Sequence, residues 1–327
     1  MKIAELEVGK TCDITLVVKS ATARETKAKK PYLALEFYDG TDTIAGNYWD
    51  WTSGNIPDVN SILDVTAQVS EWQGKKQLNV KTLRRNTTKH ISEFAPASCH
   101  DLSSVYMEAY SLLSEVTDDT LRDLSMSIFD ELRSAWLTVP AAKGVHHAYV
   151  GGTLVHSLSV AKIAKALANE IPEANVDLCV VGGMLHDLGK LFTYKMDGVV
   201  IGMTDDGQLY DHIFMGAEFV GNFAEAHINT DDYFTIKKLQ LLRHIILAHH
   251  GKLEYGSPVV PQCIEAMIVN HADSLDSSAE QIRAAARKLT ENVRWTERIY
   301  TLNNSSQLTP AYVQYIMSKS EEESVGT

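Results

Sequence analysis

VDLCVVGGMLHDLGK, residues 176–190, is the stretch that decides how the rear of this chain folds. Apolar residues run at helical spacing up to Leu185, then His186 and Asp187 stand side by side, and the segment closes at Gly189 and Lys190. Adjacent helical residues point about 100° apart, so a histidine and an aspartate in succession can grip one ion only near a helix end or a bend. Gly182, Gly183 and Gly189 permit the close packing that such a site needs. Taken alone, the dipeptide is more often a surface or cap pair, so its surroundings have to decide.

On both sides the sequence stays helical. Residues 105–116, 118–136, 151–171, 211–227, 233–250 and 261–277 all repeat apolar side chains at i, i+3 and i+4. They predict an all-α bundle over 105–318, ahead of an acidic tail at 319–327. Ten of the twelve histidines fall between His146 and His271. Imidazole and carboxylate together suit a divalent transition ion such as Mn, Fe, Co, Ni or Zn, whereas an all-oxygen shell would suit Mg or Ca.

Farther forward the period changes from 3.6 to 2. Residues 11–19, 32–39, 43–51, 62–70 and 76–83 are rich in β-branched and aromatic residues. Turn-forming segments AKKP, DGTD, SGNIPDVN and WQGKK separate them. Five short strands in so few residues predict an OB-type β-barrel over 1–86. Residues 87–104 read as a linker. The whole is a multidomain α and β chain, a five-stranded barrel followed by a helical bundle.

The opening MKIAELEVGK is charged and lacks the apolar region of a signal peptide, and no run approaches the ~18 apolar residues of a membrane span. Cys12, Cys99, Cys179 and Cys263 make no CxxC pair, so a disulfide framework is not expected, and a reducing cytoplasm with no membrane partner is. The net charge of −12 is unevenly spread. Residues 1–86 hold 12 Lys and Arg against 11 Asp and Glu, leaving the rear acidic. Basic residues Lys27, Lys29, Lys30, Lys75, Lys76, Arg84 and Arg85 could still meet phosphates.

Around the central dipeptide stand His156 in LVHSLSVAKIA, His212 in YDHIFMGAEFV, the pair His249 and His250 in LAHHGKLEYGSP, and Asp273 in NHADSLDS. With this ordered H…HD…D pattern the chain resembles the HD-domain superfamily. More closely it is similar to the YhaM-type 3′-to-5′ exoribonucleases, which join an OB barrel to an HD domain. The resemblance rests on HHAYVGGTLVHSL, GGMLHDLGK, DHIFMG, LAHHGKLEYGSP and NHADSLDS, and covers nearly the whole chain.

That resemblance implies two divalent ions, manganese first, with Fe, Co or Ni as alternatives. His156, His186, Asp187 and Asp273 would bind one, and Asp187, His212, His249 and His250 the other, with Asp187 bridging. One of His249 and His250 could instead steady a ligand from behind. Lys190 would sit by the substrate phosphate, although a helix C-terminal lysine answering the macrodipole is an equal reading. His146 and His147 could contact substrate or pack the bundle. His227, His244 and His271 have no place in the pattern. A homo-oligomer also fits the resemblance.

Two cations sharing a carboxylate activate a water and bind phosphate oxygens, so no protein nucleophile is required. The sequence carries no G-x-S-x-G elbow, P-loop or GxGxxG, as that chemistry expects. For the substrate, OB barrels stack single-strand bases on aromatic side chains over a basic groove. Tyr48, Trp49, Trp51, Lys29, Lys30, Lys75 and Lys76 are the expected contacts, although Tyr48 and Trp49 cannot both point inward. The partner is then single-stranded RNA or DNA. The near-neutral barrel leaves open an HD-type nucleotidase or cyclic-nucleotide phosphodiesterase, with the barrel serving assembly or regulation. A binding module with a vestigial HD domain is a third reading, which the full ligand set opposes.

Overall fold

A computed structural model describes residues 1–52, 54–94, 98, 100–142, 147–228, 231–287, 289 and 293–324. The chain divides into two compact units. The first holds Met1–Cys99 with Met196–Gly202, the second His100–Lys195 with Met203–Thr327.

Strands β1 (Thr11–Glu25), β2 (Pro31–Tyr38), β3 (Thr43–Tyr48), β4 (Ile62–Trp72) and β5 (Lys75–Arg85) form a closed barrel in the order β1-β2-β3-β5-β4. All pairs are antiparallel except β3 with β5. β1 runs six residues past its expected end because a bulge between Val18 and Ser20 lets one strand serve two neighbours, pairing first with β4 and then with β2. The period-two pattern aims Leu16, Leu33, Leu35, Phe37, Ile44, Val65, Leu78 and Val80 inward to a dry core.

Two features of this unit were not expected. Phe94, inside the predicted linker, is buried with Val17, Tyr38, Ile62 and Val199, so the first part of that segment is anchored. Val199 comes from a hairpin, β6 (Tyr194–Asp197) and β7 (Val200–Met203), which interrupts the helical sequence. Its tip is held by the Asn60 side chain, which donates to the Asp197 carbonyl at 2.9 Å and accepts from the Val199 amide at 3.1 Å.

The second unit is built from α1 (Leu102–Ser114), α2 (Asp119–Glu131), α3 (Arg133–Trp136), α4 (Gly152–Asn169), α5 (Val176–Leu185), α6 (Lys190–Thr193), α7 (Asp205–His227), α8 (Tyr233–Ala248), α9 (Ile264–Arg287) and α10 (Pro310–Ser324). Asp101, Asp118, Asn175, Thr204 and Asp232 cap α1, α2, α5, α7 and α8 by accepting from first-turn amides. The core is continuous through α1, α2, α4, α5, α7, α8 and α9.

Glycine sets how close the central helices come. A Cβ on Gly183 would lie 2.8 Å from the Ala161 Cα, so α5 touches the backbone of α4. A Cβ on Gly189 would fall 1.9 Å from the His212 carbonyl oxygen, so the turn after His186 and Asp187 lies directly on α7. These two approaches bring the histidines of three helices together. Cys12, Cys179 and Cys263 are free thiols. No helix among the described residues is long and apolar enough to cross a membrane.

Candidate metal centre

Four of the five histidines around Asp187 sit where a helix stops or breaks. His186 follows the last residue of α5, and His249 and His250 follow the last of α8. His212 comes directly after Asp211, whose φ of 60° and ψ of 160° break α7. A helix end frees a side chain from the helix's own facing, so His186 and Asp187, though adjacent, both turn inward. His156 is the exception and lies in mid-helix on α4, fully buried.

One rule orients all five rings: Nδ1 is tied to an oxygen and Nε2 is left facing the centre. His186 Nδ1 donates to the Gly183 carbonyl at 2.8 Å, His249 Nδ1 to Ile246 at 2.6 Å and His250 Nδ1 to Tyr255 at 2.8 Å. His212 Nδ1 meets the Asp211 carboxylate at 2.5 Å, and His156 Nδ1 meets Asp276 at 2.8 Å. Carbonyl and carboxylate oxygens only accept, so a neutral ring here carries its proton on Nδ1 and leaves Nε2 to offer a lone pair, the tautomer that metal-ligating histidines use.

The Nε2 atoms converge on Asp187, which is 1% exposed. His156 Nε2 and His186 Nε2 each lie 3.3 Å from its Oδ2 and 3.2 Å from each other. Asp273 Oδ1 is 3.2 Å from His156 Nε2 and 4.0 Å from His186 Nε2. On the other side, His212 Nε2 and His249 Nε2 stand 3.4 and 3.5 Å from Asp187 Oδ1. The His250 ring centroid is 4.4 Å from that of His249. Donor atoms of His156, His186 and Asp187, of His186, His249 and Asp273, and of His212, His249 and His250 lie within 4.8 Å of one another in each group.

Asp187 Oδ1, His212 Nε2 and His249 Nε2 are buried and make no hydrogen bond. An unsatisfied buried polar atom costs about 1–3 kcal/mol, and three of them facing one another describe a place for a cation. Nitrogen with carboxylate oxygen is the donor set of a divalent transition metal. The residues present fit that group.

The charge states agree. Burial pushes His249 down to about 4 and also lowers His212, so both are neutral ligands at physiological pH. For His156 burial favours the neutral ring, but hydrogen bonds to Asp187, Asp273 and Asp276 outweigh it and hold the imidazole well above its ordinary value. Burial likewise opposes charge on Asp187, while Lys190 and His186 keep its carboxyl far below the usual range. Without metal, a proton on His156 and the ammonium of Lys190 are what the carboxylates hold.

Lys190, 8% exposed, sets its Nζ 2.7 Å from Asp187 Oδ2. Its charge answers the centre rather than a helix end. The Asp211 carboxylate fixes His212, and that hydrogen bond lowers its own carboxyl to about 2. His147 is buried and both ring nitrogens are engaged, Nδ1 with the Tyr149 hydroxyl at 2.8 Å and Nε2 with Asp276 at 3.0 Å. His146 lies outside the described residues. His227 and His271 bond the carbonyls one turn back, and His244 accepts from the Gln262 amide. Asp276 and Ser159 were missed. Asp276 stands three residues after Asp273, on the same helical face, but its partners come from other parts of the chain.

On the barrel the expected contacts separate. Tyr48 turns inward against the core and Trp51 packs beside it. Trp49, 40% exposed, stacks on Tyr32 with ring centroids 4.5 Å apart, and its Nε1 donates to the Asn79 side chain at 3.2 Å. Lys29 and Lys30 lie in the β1–β2 turn, with Lys30 3.9 Å from Asp50. Lys76 Nζ donates to the Leu6 carbonyl at 2.6 Å, which ties it to the barrel. A groove of about 790 Å³ crosses the outer face past Arg24, Asn47, Lys75 and Lys76.

Residues 153–278 match the family model of the HD domain, which takes in His156, the His186 and Asp187 pair, His212, His249, His250, Asp273 and Asp276. Among solved structures, the HD domain of the phosphodiesterase PgpH from L. monocytogenes is similar at 25% identity over 40% of this chain and 74% of that one, with a TM-score of 0.27. A putative aspartyl-tRNA synthetase from Leishmania major Friedlin is similar at 14% identity over 50% of this chain and 39% of that one, with a TM-score of 0.19. At such scores neither superposition bears on fold or chemistry.

Proposed function

We propose that this chain, a hydrolase of the HD superfamily with a His and Asp metal centre, is a 3′-to-5′ exonuclease of the YhaM type. It shortens single-stranded RNA, with DNA as a second polymer, and releases nucleoside monophosphates. The observation that carries the step from phosphohydrolase to nuclease is the Tyr32 and Trp49 stack. Aromatic pairs that remain open to solvent on a β-barrel suit nucleobases, and here they belong to a chain whose other unit carries phosphohydrolase machinery. The 3′ polarity rests on the resemblance alone.

His156, His186, Asp187 and Asp273 would hold one divalent ion, and Asp187, His212, His249 and His250 a second. When bound, such ions supply an activated water and the positive charge that draws phosphate oxygens. Asp187, with an oxygen toward each histidine group, would be the carboxylate that both share. His212 and His249, neutral through burial, keep their lone pairs on Nε2. Lys190, held by Asp187, would offset negative charge as it grows on the phosphoryl group.

The test is purified protein with Mn²⁺ and a 5′-labelled single-stranded RNA, beside Asp187→Ala and a panel of free and cyclic nucleotides. A ladder shortening from the 3′ end, absent in the variant, is the expected result. Intact RNA with hydrolysis of a nucleotide would replace the nuclease by a nucleotidase or cyclic-nucleotide phosphodiesterase. The near balance of charge over residues 1–86 favours that second reading.

A further inference from the structure

His186 and His249 each donate Nδ1–H to the carbonyl three residues back, Gly183 and Ile246. Both carbonyls belong to the last turn of a helix, where the backbone ladder leaves oxygens without a partner. His156 does not use that device. It lies in the interior of α4, and its Nδ1 takes its oxygen from another element.

Asp276 of α9 supplies it. The residue is 3% exposed, and its two oxygens are fully engaged by the second unit itself. Oδ2 meets His156 Nδ1 at 2.8 Å and His147 Nε2 at 3.0 Å, and Oδ1 accepts from Ser159 Oγ at 2.5 Å. It touches the ring nitrogen opposite to the one that faces Asp187 and Asp273. It is therefore placed behind the ligand rather than among the ligands.

We propose that Asp276 is the positioning residue of the ion held by His156, with His147 and Ser159 as the clamps that keep its carboxylate on the His156 ring. Asp276 fixes the proton on Nδ1, aims Nε2 at Asp187 and Asp273, and makes the ring a stronger donor than a carbonyl partner would. Ser159 lies three residues after His156, on the same face of α4, so ligand and clamp arrive together. The inference rests on the metal-centre reading above and adds to it the residue on which the first ion's affinity depends.

The test uses the full-length protein, stripped of metal and titrated with Co²⁺, read by visible absorption and by calorimetry. Asp276→Asn keeps the volume but removes the charge and one acceptor. Its affinity for the ion at His156 should fall about 10- to 100-fold, with an altered absorption band. Ser159→Ala should show a smaller loss in the same direction. Tyr106→Phe removes a buried hydrogen bond to the Phe129 carbonyl elsewhere in the unit, and should lower stability without moving Co²⁺ affinity.

Unchanged affinity and spectrum in Asp276→Asn would overturn the proposal. If that variant does not fold, Ser159→Ala and His147→Gln carry the test, and unchanged affinity in both overturns it equally. Asp187→Ala separates the two levels. Loss of Co²⁺ there with retention in Asp276→Asn removes only the positioning role, whereas wild type and Asp187→Ala binding alike would remove the metal centre and the proposal with it.

Discussion

The two units bury different things. The barrel closes on Leu16, Phe37, Leu78 and their neighbours, and its one buried charged residue among those described, Asp39, receives hydrogen bonds from the amides of Ile3, Thr41 and Asp42. The helical unit buries His147, His156, His186, Asp187, Lys190, His212, His249 and Asp276, and leaves three of their polar atoms unpaired. Burying polar groups without partners costs stability, and a fold keeps them only where something else is gained. The barrel is organised for closure and the helical unit for a cation.

That contrast breaks most directly at Asp187. Asp187→Ala removes the carboxylate on which both histidine groups converge, and hydrolysis of any phosphodiester the protein cleaves should fall at least about a thousandfold, since a metal centre contributes several kcal/mol. Direct metal analysis should show bound metal lost at the same time. Retained turnover with ions bound would mean the buried polar cluster is structural.

The corresponding cut in the barrel is Phe37→Ala, which empties a fully buried ring and should cost about 3–5 kcal/mol there. Hydrogen exchange on the full chain should report the loss in β1 to β5, while Co²⁺ affinity stays unchanged. A fall in metal affinity would show that the units are coupled.

pH separates them further. With no metal bound, His156 has a raised pKa, so its contribution to stability is present below the unfolded value and is lost as pH rises through the folded one. Metal displaces that proton, so the loaded protein should lack this alkaline loss, and apparent affinity should climb about tenfold per pH unit while His156 is protonated. In the barrel, burial opposes charge on Asp39, but the amides of Asp42, Ile3 and Thr41 outweigh it and hold the pKa down. Its contribution is present above the unfolded value and disappears as pH falls through the folded one. Melting curves of Asp39→Asn should therefore lose part of their acid dependence and none of their alkaline dependence.

Much of this was readable beforehand, for identifiable reasons. Period-two alternation predicted five strands and forbade Tyr48 and Trp49 from sharing a face, and the structure packs one, half-buried, against the core and exposes the other. The residues of GGMLHDLGK required a helix end at His186, and α5 stops at Leu185. The hairpin at Tyr194–Met203 escaped because its four-residue strands are too short to show a period, although Asp197 and Gly198 form a turn pair. Asp276 escaped because its role is set by His147, His156 and Ser159, residues more than a hundred positions away along the chain. Elements with a local period are legible in sequence, whereas a hydrogen-bond partner fixed by tertiary packing is not.

The finest cut tests whether the barrel's outer face handles substrate at all. Trp49 is held from two sides, by the Tyr32 ring and by the Asn79 oxygen, so it presents a fixed platform without rotamers to freeze on binding. Stacking one base on such a ring contributes about 1–3 kcal/mol, so Trp49→Ala should weaken single-stranded RNA binding about 5- to 150-fold. Because the indole has no part in the metal centre, the loss should appear in KM for long RNA and leave kcat and Co²⁺ affinity alone. Trp49→Phe, which keeps a ring but loses the bond to Asn79, should fall between wild type and alanine. If all three proteins bind RNA alike, the stacked pair serves the barrel's own packing, and the nucleotidase reading of the helical unit gains the ground.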